Sequence, residues 1–342
     1  MTAVTGLGSW PGQDFGSALD QVGRAFREAP FLPELPARGQ GADMIGRAVG
    51  LIDQLGFEAG PFGWTTARHV SREQRQAGAR LRDDLDRAAE RWEGHQGPWH
   101  VSLAGPWTLC GLIGLGSGEV LLSDAGACRD LAQAWSQAAA DWCERARRLV
   151  PGAQLSFQVD EPLLPAVAAG TIGSASGLRR HRPVEPDRLT EGYAGLSAWA
   201  ERIGLDQTVV HCCASGLDCS TLGQAGFSAV SLDLARLDGE TSDGLAQFYQ
   251  AGGVLWLGAA PTDAPQRRVG LDELLPVVLD SLEHLGVDPA QGRLWLTPAC
   301  GLAGFTVEGA SERAALLVRL AQAVDQSAAD GRVGDRSAGR LG

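Results

Sequence analysis

The stretch TVVHCCASGLDCSTLGQAGFSAVSLDL, residues 208–234, decides how the rest of the chain is read. It opens on a β-branched apolar run, Thr208–Cys212. A polar and glycine-containing link follows, with a helix-like segment around Cys219, and the stretch closes on a second apolar run, Ala229–Leu234. Short apolar runs separated by a helical segment are the pattern of a strand–helix–strand unit, whose two strands lie parallel in one sheet. The same alternation extends in both directions. Further strands are expected at Ala3–Gly8, Trp99–Ala104, Gln154–Val159, Val254–Gly258 and Arg293–Thr297, with an eighth, weaker one around Gly60–Trp64. Helix-period segments fall between them at Arg72–Trp92, Ala127–Leu149, Asp187–Ile203, Leu271–Leu285 and Glu312–Asp325. Eight such units predict an α/β fold of the (β/α)8 TIM-barrel type, one domain over residues 1–327. An open doubly wound sheet would carry a G-x-G-x-x-G turn opening a helix, and none is present. Residues 328–342 lack apolar periodicity and read as a disordered tail.

The composition narrows the chemistry. Of 342 residues, 29 are basic and every one of them is arginine. Without lysine there is no Schiff-base enzyme, no pyridoxal-phosphate anchor and no phosphate-loop nucleotidase. A net charge of −12 argues against a nucleic-acid partner. The N-terminus lacks the basic and apolar regions of a signal peptide, and the uncharged stretch 94–118 is broken by prolines and glycines, so no membrane span is expected. Seven cysteines, an odd number in a long chain, point to reduced thiols in the cytoplasm rather than disulfides.

Those thiols and the histidines must then carry any metal chemistry. In a strand, residues two apart share a face, so His211 and Cys213 converge while Cys212 points away. Imidazole and thiolate are ordinary ligands of Zn²⁺. Asp233 ends the next strand, and Cys300, in Pro298-Ala299-Cys300-Gly301, follows the last one. All four fall at C-terminal strand ends, the rim where barrel enzymes keep their active sites. Set against this, free cysteine is among the most buried residue types. Cys219 is a competing ligand inside a helix-like stretch, and Cys110, Cys128 and Cys143 read as packing residues. Asp160-Glu161-Pro162 closes another strand, where adjacent carboxylates suit acid–base work or an amine ligand, or cap a helix. Gly8-Ser9-Trp10-Pro11 closes the first, with backbone N–H groups and a hydroxyl placed to hold a carboxylate, or forms a tight turn. Arg179-Arg180-His181-Arg182 is a basic run for an anion or a solvated loop.

Five motifs in order resemble the catalytic C-terminal domain of cobalamin-independent methionine synthase: Leu7-Gly8-Ser9-Trp10-Pro11, Leu103-Ala104-Gly105-Pro106-Trp107-Thr108, Gln158-Val159-Asp160-Glu161-Pro162, His211-Cys212-Cys213 and Pro298-Ala299-Cys300-Gly301. The resemblance implies a zinc-dependent transferase that methylates a thiol, most simply homocysteine to methionine. It implies His211, Cys213 and Cys300 as zinc ligands, with Asp233 at the position of the family's glutamate ligand. It also implies Leu7, Gly8 and Ser9 at the substrate carboxylate and Asp160 at its amino group. The sequence departs from the family at three places. No histidine occurs in 258–263, Arg38 and Gln40 stand near expected acidic residues, and Leu112 stands where a folate-stacking tryptophan is expected. The methyl donor is therefore open between methyltetrahydrofolate and a corrinoid carrier protein. Two neighbouring readings stay open as well. One is a zinc-dependent alkyl transferase acting on another thiol, as in epoxide opening by coenzyme M. The other is a barrel that binds a tetrapyrrole or corrinoid without zinc, resembling uroporphyrinogen decarboxylase.

Overall fold

In the computed structural model, which describes residues 1–331, nine strands are present. They are β1 (Ala3–Val4), β2 (Gly56–Gly60), β3 (Gly63–Ala67), β4 (Pro98–Ala104), β5 (Gln154–Asp160), β6 (Gln207–Cys212), β7 (Ala229–Asp233), β8 (Val254–Ala260) and β9 (Leu294–Pro298). Seven of them form one sheet in the order β1-β9-β8-β7-β6-β5-β4, every pair parallel, curled into a half-barrel. This is compatible with a TIM-like barrel, but it is not the closed ring of eight strands that the alternation predicts.

The missing strand has a local cause. Between the two sheet edges runs Pro30-Phe31-Leu32-Pro33-Glu34, touching β4 through Leu32 N–H to His100 O (3.0 Å) and the loop after β1 through Glu34 N–H to Gly8 O (2.9 Å). Prolines at 30 and 33 remove two donors, so the segment makes isolated bridges instead of a ladder. The eighth strand expected around Gly60–Trp64 lies outside the sheet. It is the turn and second arm of an antiparallel hairpin, β2–β3, closed by Pro61-Phe62.

Helices follow the sequence with small shifts. Ser71 and Asp124 cap Arg72–Arg91 and Ala125–Leu149 by accepting first-turn N–H bonds. The single helix expected over Asp187–Ile203 is split into Pro186–Glu191 and Leu196–Ile203, because Gly195 takes a left-handed conformation (φ +85°) between them. The last helix runs Val307–Ala329. Residues 328 and 329 of the expected tail therefore end a helix, and 332–342 lie outside the described residues.

Register separates the two faces of the sheet. Val101, Leu155, Phe157, Val210, Val230, Leu255 and Leu296 point outward into the large core shared with the helices. On the concave face, Val209, Ala229, Trp256 and Trp295 form a second core. Trp256 stacks on Trp295 at 4.8 Å and meets His100 edge-on at 5.2 Å, and His100 stacks on Phe31 at 5.5 Å. These rings fill the interior. One pleat further along, the same face becomes polar: Ser102, Gln158, Asp160, His211 and Ser231, all buried.

Candidate active site

His211 is the last inward-facing residue of β6, and Ser231 is its register partner on β7. His211 Nδ1 lies 3.0 Å from Ser231 Oγ, which fixes the ring. Its other nitrogen, Nε2, is buried and has no hydrogen-bond partner. A buried ring nitrogen with no partner is costly unless something binds it. Cys213 follows β6 directly, and Cys300 follows β9 on the far side of the opening. Their sulfurs are 3.3 Å apart, and the ligand atoms of His211, Cys213 and Cys300 all lie within 4.8 Å of one another. One nitrogen and two sulfurs converging on a partnerless imidazole fit the donor set of Zn²⁺. The bond from Cys300 holds the Cys213 thiol below its ordinary value, while contact with Cys213 and burial push Cys300 up to about 12. Burial pulls the His211 imidazole down, but Cys300 and the nearby Asp160 and Asp233 outweigh it and hold it up.

Asp233 sits at the end of β7 with its carboxylate turned aside. It accepts from Ala235 N–H (3.0 Å) and pairs with Arg236 (3.1 Å), capping the short turn Leu234–Arg236. It does not join the three converging ligands.

The Asp160-Glu161 pair divides. Asp160 faces inward beside His211 in the β5–β6 register and accepts from Gln158 Nε2 at 2.7 Å. Burial raises it to about 7, against the pull of His211 and Gln158, with the charge of Glu34 adding to the rise. Glu161 instead receives four donors: Trp107 N–H (3.1 Å), Thr108 N–H (2.7 Å), Thr108 hydroxyl (2.6 Å) and Tyr193 hydroxyl (2.7 Å). It caps the helix Pro106–Leu112 from another strand, which ties the Gly105-Pro106-Trp107-Thr108 motif to the Asp-Glu-Pro motif.

The Leu7-Gly8-Ser9 motif reaches the same place. Leu7 O accepts from Gln158 Nε2 at 3.2 Å, so one amide spans from this motif to Asp160. Gly8 has φ +99° and lies against Ser102 Oγ, a conformation that favours glycine. A side chain on Gly301 would collide with Ser9 Oγ, so that glycine lets the loop after β9 close onto Ser9. Sequence reasoning missed Glu34. It is buried, paired with Arg47 at 3.0 Å, and bonded through its backbone on both sides to the Gly8–Trp10 loop. Its trace in the sequence is a lone acid in the apolar run Phe31-Leu32-Pro33-Glu34-Leu35. Cys110, Cys128, Cys143, Cys212 and Cys219 are all buried apart from the three-ligand group, and burial pushes Cys212 up to about 12.

Residues 99–323 match the model of the cobalamin-independent synthase catalytic domain. The chain belongs to that family. It is an enzyme of the methionine-synthase type, a methyltransferase. Among solved structures it is similar to a B12-independent methionine synthase from Shewanella sp. W3-18-1, determined in complex with selenomethionine. Identity is 15%, the TM-score is 0.52, and the match covers 72% of this chain and 67% of that one. A 2,3-dimethylmalate lyase of the PEP mutase/isocitrate lyase superfamily also aligns, at 12% identity, TM-score 0.39, 97% of this chain and 93% of that one. No curated protein matches the sequence. No helix among the described residues is long and apolar enough to cross a membrane.

Proposed function

We propose that this enzyme transfers a methyl group to the sulfur of homocysteine, using a zinc ion held by His211, Cys213 and Cys300. The observation that carries the reading is the partnerless Nε2 of His211 facing two sulfurs 3.3 Å apart. Zinc, when bound, stabilises the substrate sulfur as a thiolate at neutral pH, where a free thiol would be mostly protonated. Asp233 would serve as a fourth, exchangeable ligand, leaving Ala235 and Arg236 to do so. Asp160 and the buried Glu34 hold the substrate ammonium between them. Gln158 keeps Asp160 in place. The Leu7-Gly8-Ser9 loop receives the carboxylate through backbone N–H groups and the Ser9 hydroxyl.

That pair of buried carboxylates favours homocysteine over coenzyme M, which carries a sulfonate and no amine. Placing an anion against Asp160 and Glu34 would add repulsion in a site already short of compensating charge. The donor is methyltetrahydrofolate or a methyl-corrinoid carrier, and the reaction belongs among cytoplasmic small molecules. The test is zinc content together with methionine formation, assayed with methyltetrahydrofolate and, separately, with methylcobalamin. Cys213→Ser and Cys300→Ser should each lose zinc and activity, and full zinc occupancy in both would overturn the assignment. Homocysteine should raise the melting temperature where coenzyme M does not.

A further inference from the structure

A basic cleft of about 490 Å³ opens where the helices Phe15–Ala25 and Arg72–Arg91 end, lined by Gly23, Arg24, Arg27, Arg91, Trp92 and His95. His95 precedes the start of β4, and Pro98 O accepts from its Nε2 at 3.0 Å. The cleft therefore lies at the N-terminal ends of the strands, away from the rim that carries His211, Cys213 and Cys300. No carboxylate is among the lining residues, and the neighbouring Glu28 and Glu93 are exposed outside its wall. Three arginines on one cleft run against a net charge of −12. Arg24 and Arg91 each sit in the last turn of a helix, where a cation offsets the helix dipole. That explains neither Arg27, which lies beyond its helix, nor the free donors of the wall. Arg24 and Arg27 have no side-chain partner among the described residues. Arg91 engages Asp20 through Nε alone, at 2.9 Å, leaving both terminal nitrogens free. Trp92 is 6% exposed, and its Nε1 is buried with no hydrogen-bond partner. A Cβ on Gly23 would stand 3.5 Å from that Nε1 and 3.9 Å from Arg91 Nη2. The bare face of Gly23 thus leaves a gap on which an indole N–H and a guanidinium converge, and an unpaired buried donor is costly unless something binds it.

We propose that this cleft binds a diphosphate group, either as the free anion or as part of a diphosphate ester. Guanidinium forks match pairs of phosphate oxygens, and three of them around one space suit an anion with more than one phosphate group. The volume falls in the range of small-ligand pockets. Arg24 and Arg27 offer whole forks from exposed positions, Arg91 offers its terminal nitrogens, and Trp92 offers a neutral N–H at the inner wall. A monocarboxylate would engage one fork and leave the other like charges facing each other. The cleft shares no residue with the converging metal ligands, so its occupation does not depend on how that centre or its reaction is read.

The experiment titrates the full-length protein in a calorimeter with inorganic phosphate, pyrophosphate and adenosine diphosphate. Pyrophosphate or adenosine diphosphate should saturate a single site per chain, and inorganic phosphate should bind more weakly. Whichever diphosphate binds tighter names the source, free anion or ester, and supports the site in either case. The double variant Arg24→Gln, Arg27→Gln changes two exposed residues without side-chain partners, so it should fold as the parent does. Its affinity should fall by about a hundredfold, roughly tenfold for each charge-assisted contact. Heat from any metal captured by the diphosphate persists in that variant and is subtracted. Gly23→Ala adds a methyl group at ordinary contact distance from the indole N–H, on a helix that favours alanine. By filling the gap it should weaken binding about threefold or more. Failure of both diphosphates to saturate the unaltered protein, or an unchanged affinity in the double variant, would overturn the proposal. An unchanged affinity in Gly23→Ala would overturn it as well, because a diffuse basic surface responds to the arginines and not to the methyl group.

Discussion

The imidazole of His100 is held as a neutral ring in the interior, and this makes the fold acid-sensitive by an amount that can be worked out. Its ring lies between Phe31 and Trp256, its Nε2 has no partner, and Nδ1 has only Thr5 Oγ at 3.5 Å. Nothing there stabilises a cation, and burial lowers its pKa from 6.5 to about 3. Between those two values the unfolded chain binds a proton that the native state refuses, so stability falls as pH falls. Above pH 6.5 there is no penalty. At pH 5 the gap is about 1.5 units, which at 1.36 kcal/mol per unit costs about 2 kcal/mol. Below pH 3 the penalty stops growing. His100→Gln removes the titration while keeping a side chain of similar reach. The variant starts less stable at pH 7, because an amide is no better satisfied in that pocket. The readout is the difference in unfolding free energy between the two proteins, from urea titrations at pH 7, 6 and 5. Other groups titrate alike in both and cancel. The wild-type advantage should shrink by about 2 kcal/mol from pH 7 to pH 5. A difference that stays constant across that range would refute the neutral, buried ring.

Other substitutions probe the site and its supports. Glu161→Ala leaves four donors without their acceptor, three of them on the Trp107–Thr108 turn, and should cost about 3–5 kcal/mol in urea unfolding. A loss under 1 kcal/mol would mean that the helix Pro106–Leu112 does not depend on Glu161. Gly301→Ala puts a methyl group onto Ser9 Oγ and should raise the KM for homocysteine while zinc content stays full, as read by steady-state kinetics and metal analysis. Glu34→Gln keeps the size of the side chain but removes the charge from Arg47 and from the proposed ammonium site. It should weaken homocysteine binding by roughly tenfold or more in calorimetry, for the loss of one charge-assisted contact.

What could be read from the sequence was set by period-2 and period-3.6 patterning. The strands β4 to β9 and the long helices announce themselves because one face of each is continuously apolar. The His211–Cys213 convergence follows from strand periodicity alone, and so does the outward placement of Cys212. Two things could not be read. The segment 30–34 fills a strand's place, but its prolines make it look like a loop, and its pairing is decided by the edges on either side. Glu34 was missed with it, because a lone acid between apolar residues has no periodic signature until its Arg47 partner is placed. The direction in which Asp233 turns was equally hidden. A carboxylate at a strand end can cap the next turn or reach inward, and Arg236 three residues on decides for the cap.

One rule of register joins the floor and the chemistry. Along β6, Val209 packs in the interior and His211 reaches the rim. Along β8 and β9, Trp256 and Trp295 pack in the interior, and small or polar residues, Gly258 and Thr297, stand above them. A side chain at Gly258 would press on Ala299 and on the backbone of β7, so glycine is required where β7 and the loop leading to Cys300 pack closely on β8. Large rings lie towards one end of this face, and the convergent ligands lie at its C-terminal end, the end where barrel enzymes keep their active sites. Burial at this end of the face is what raises Asp160 to about 7, against the pull of His211 and Gln158.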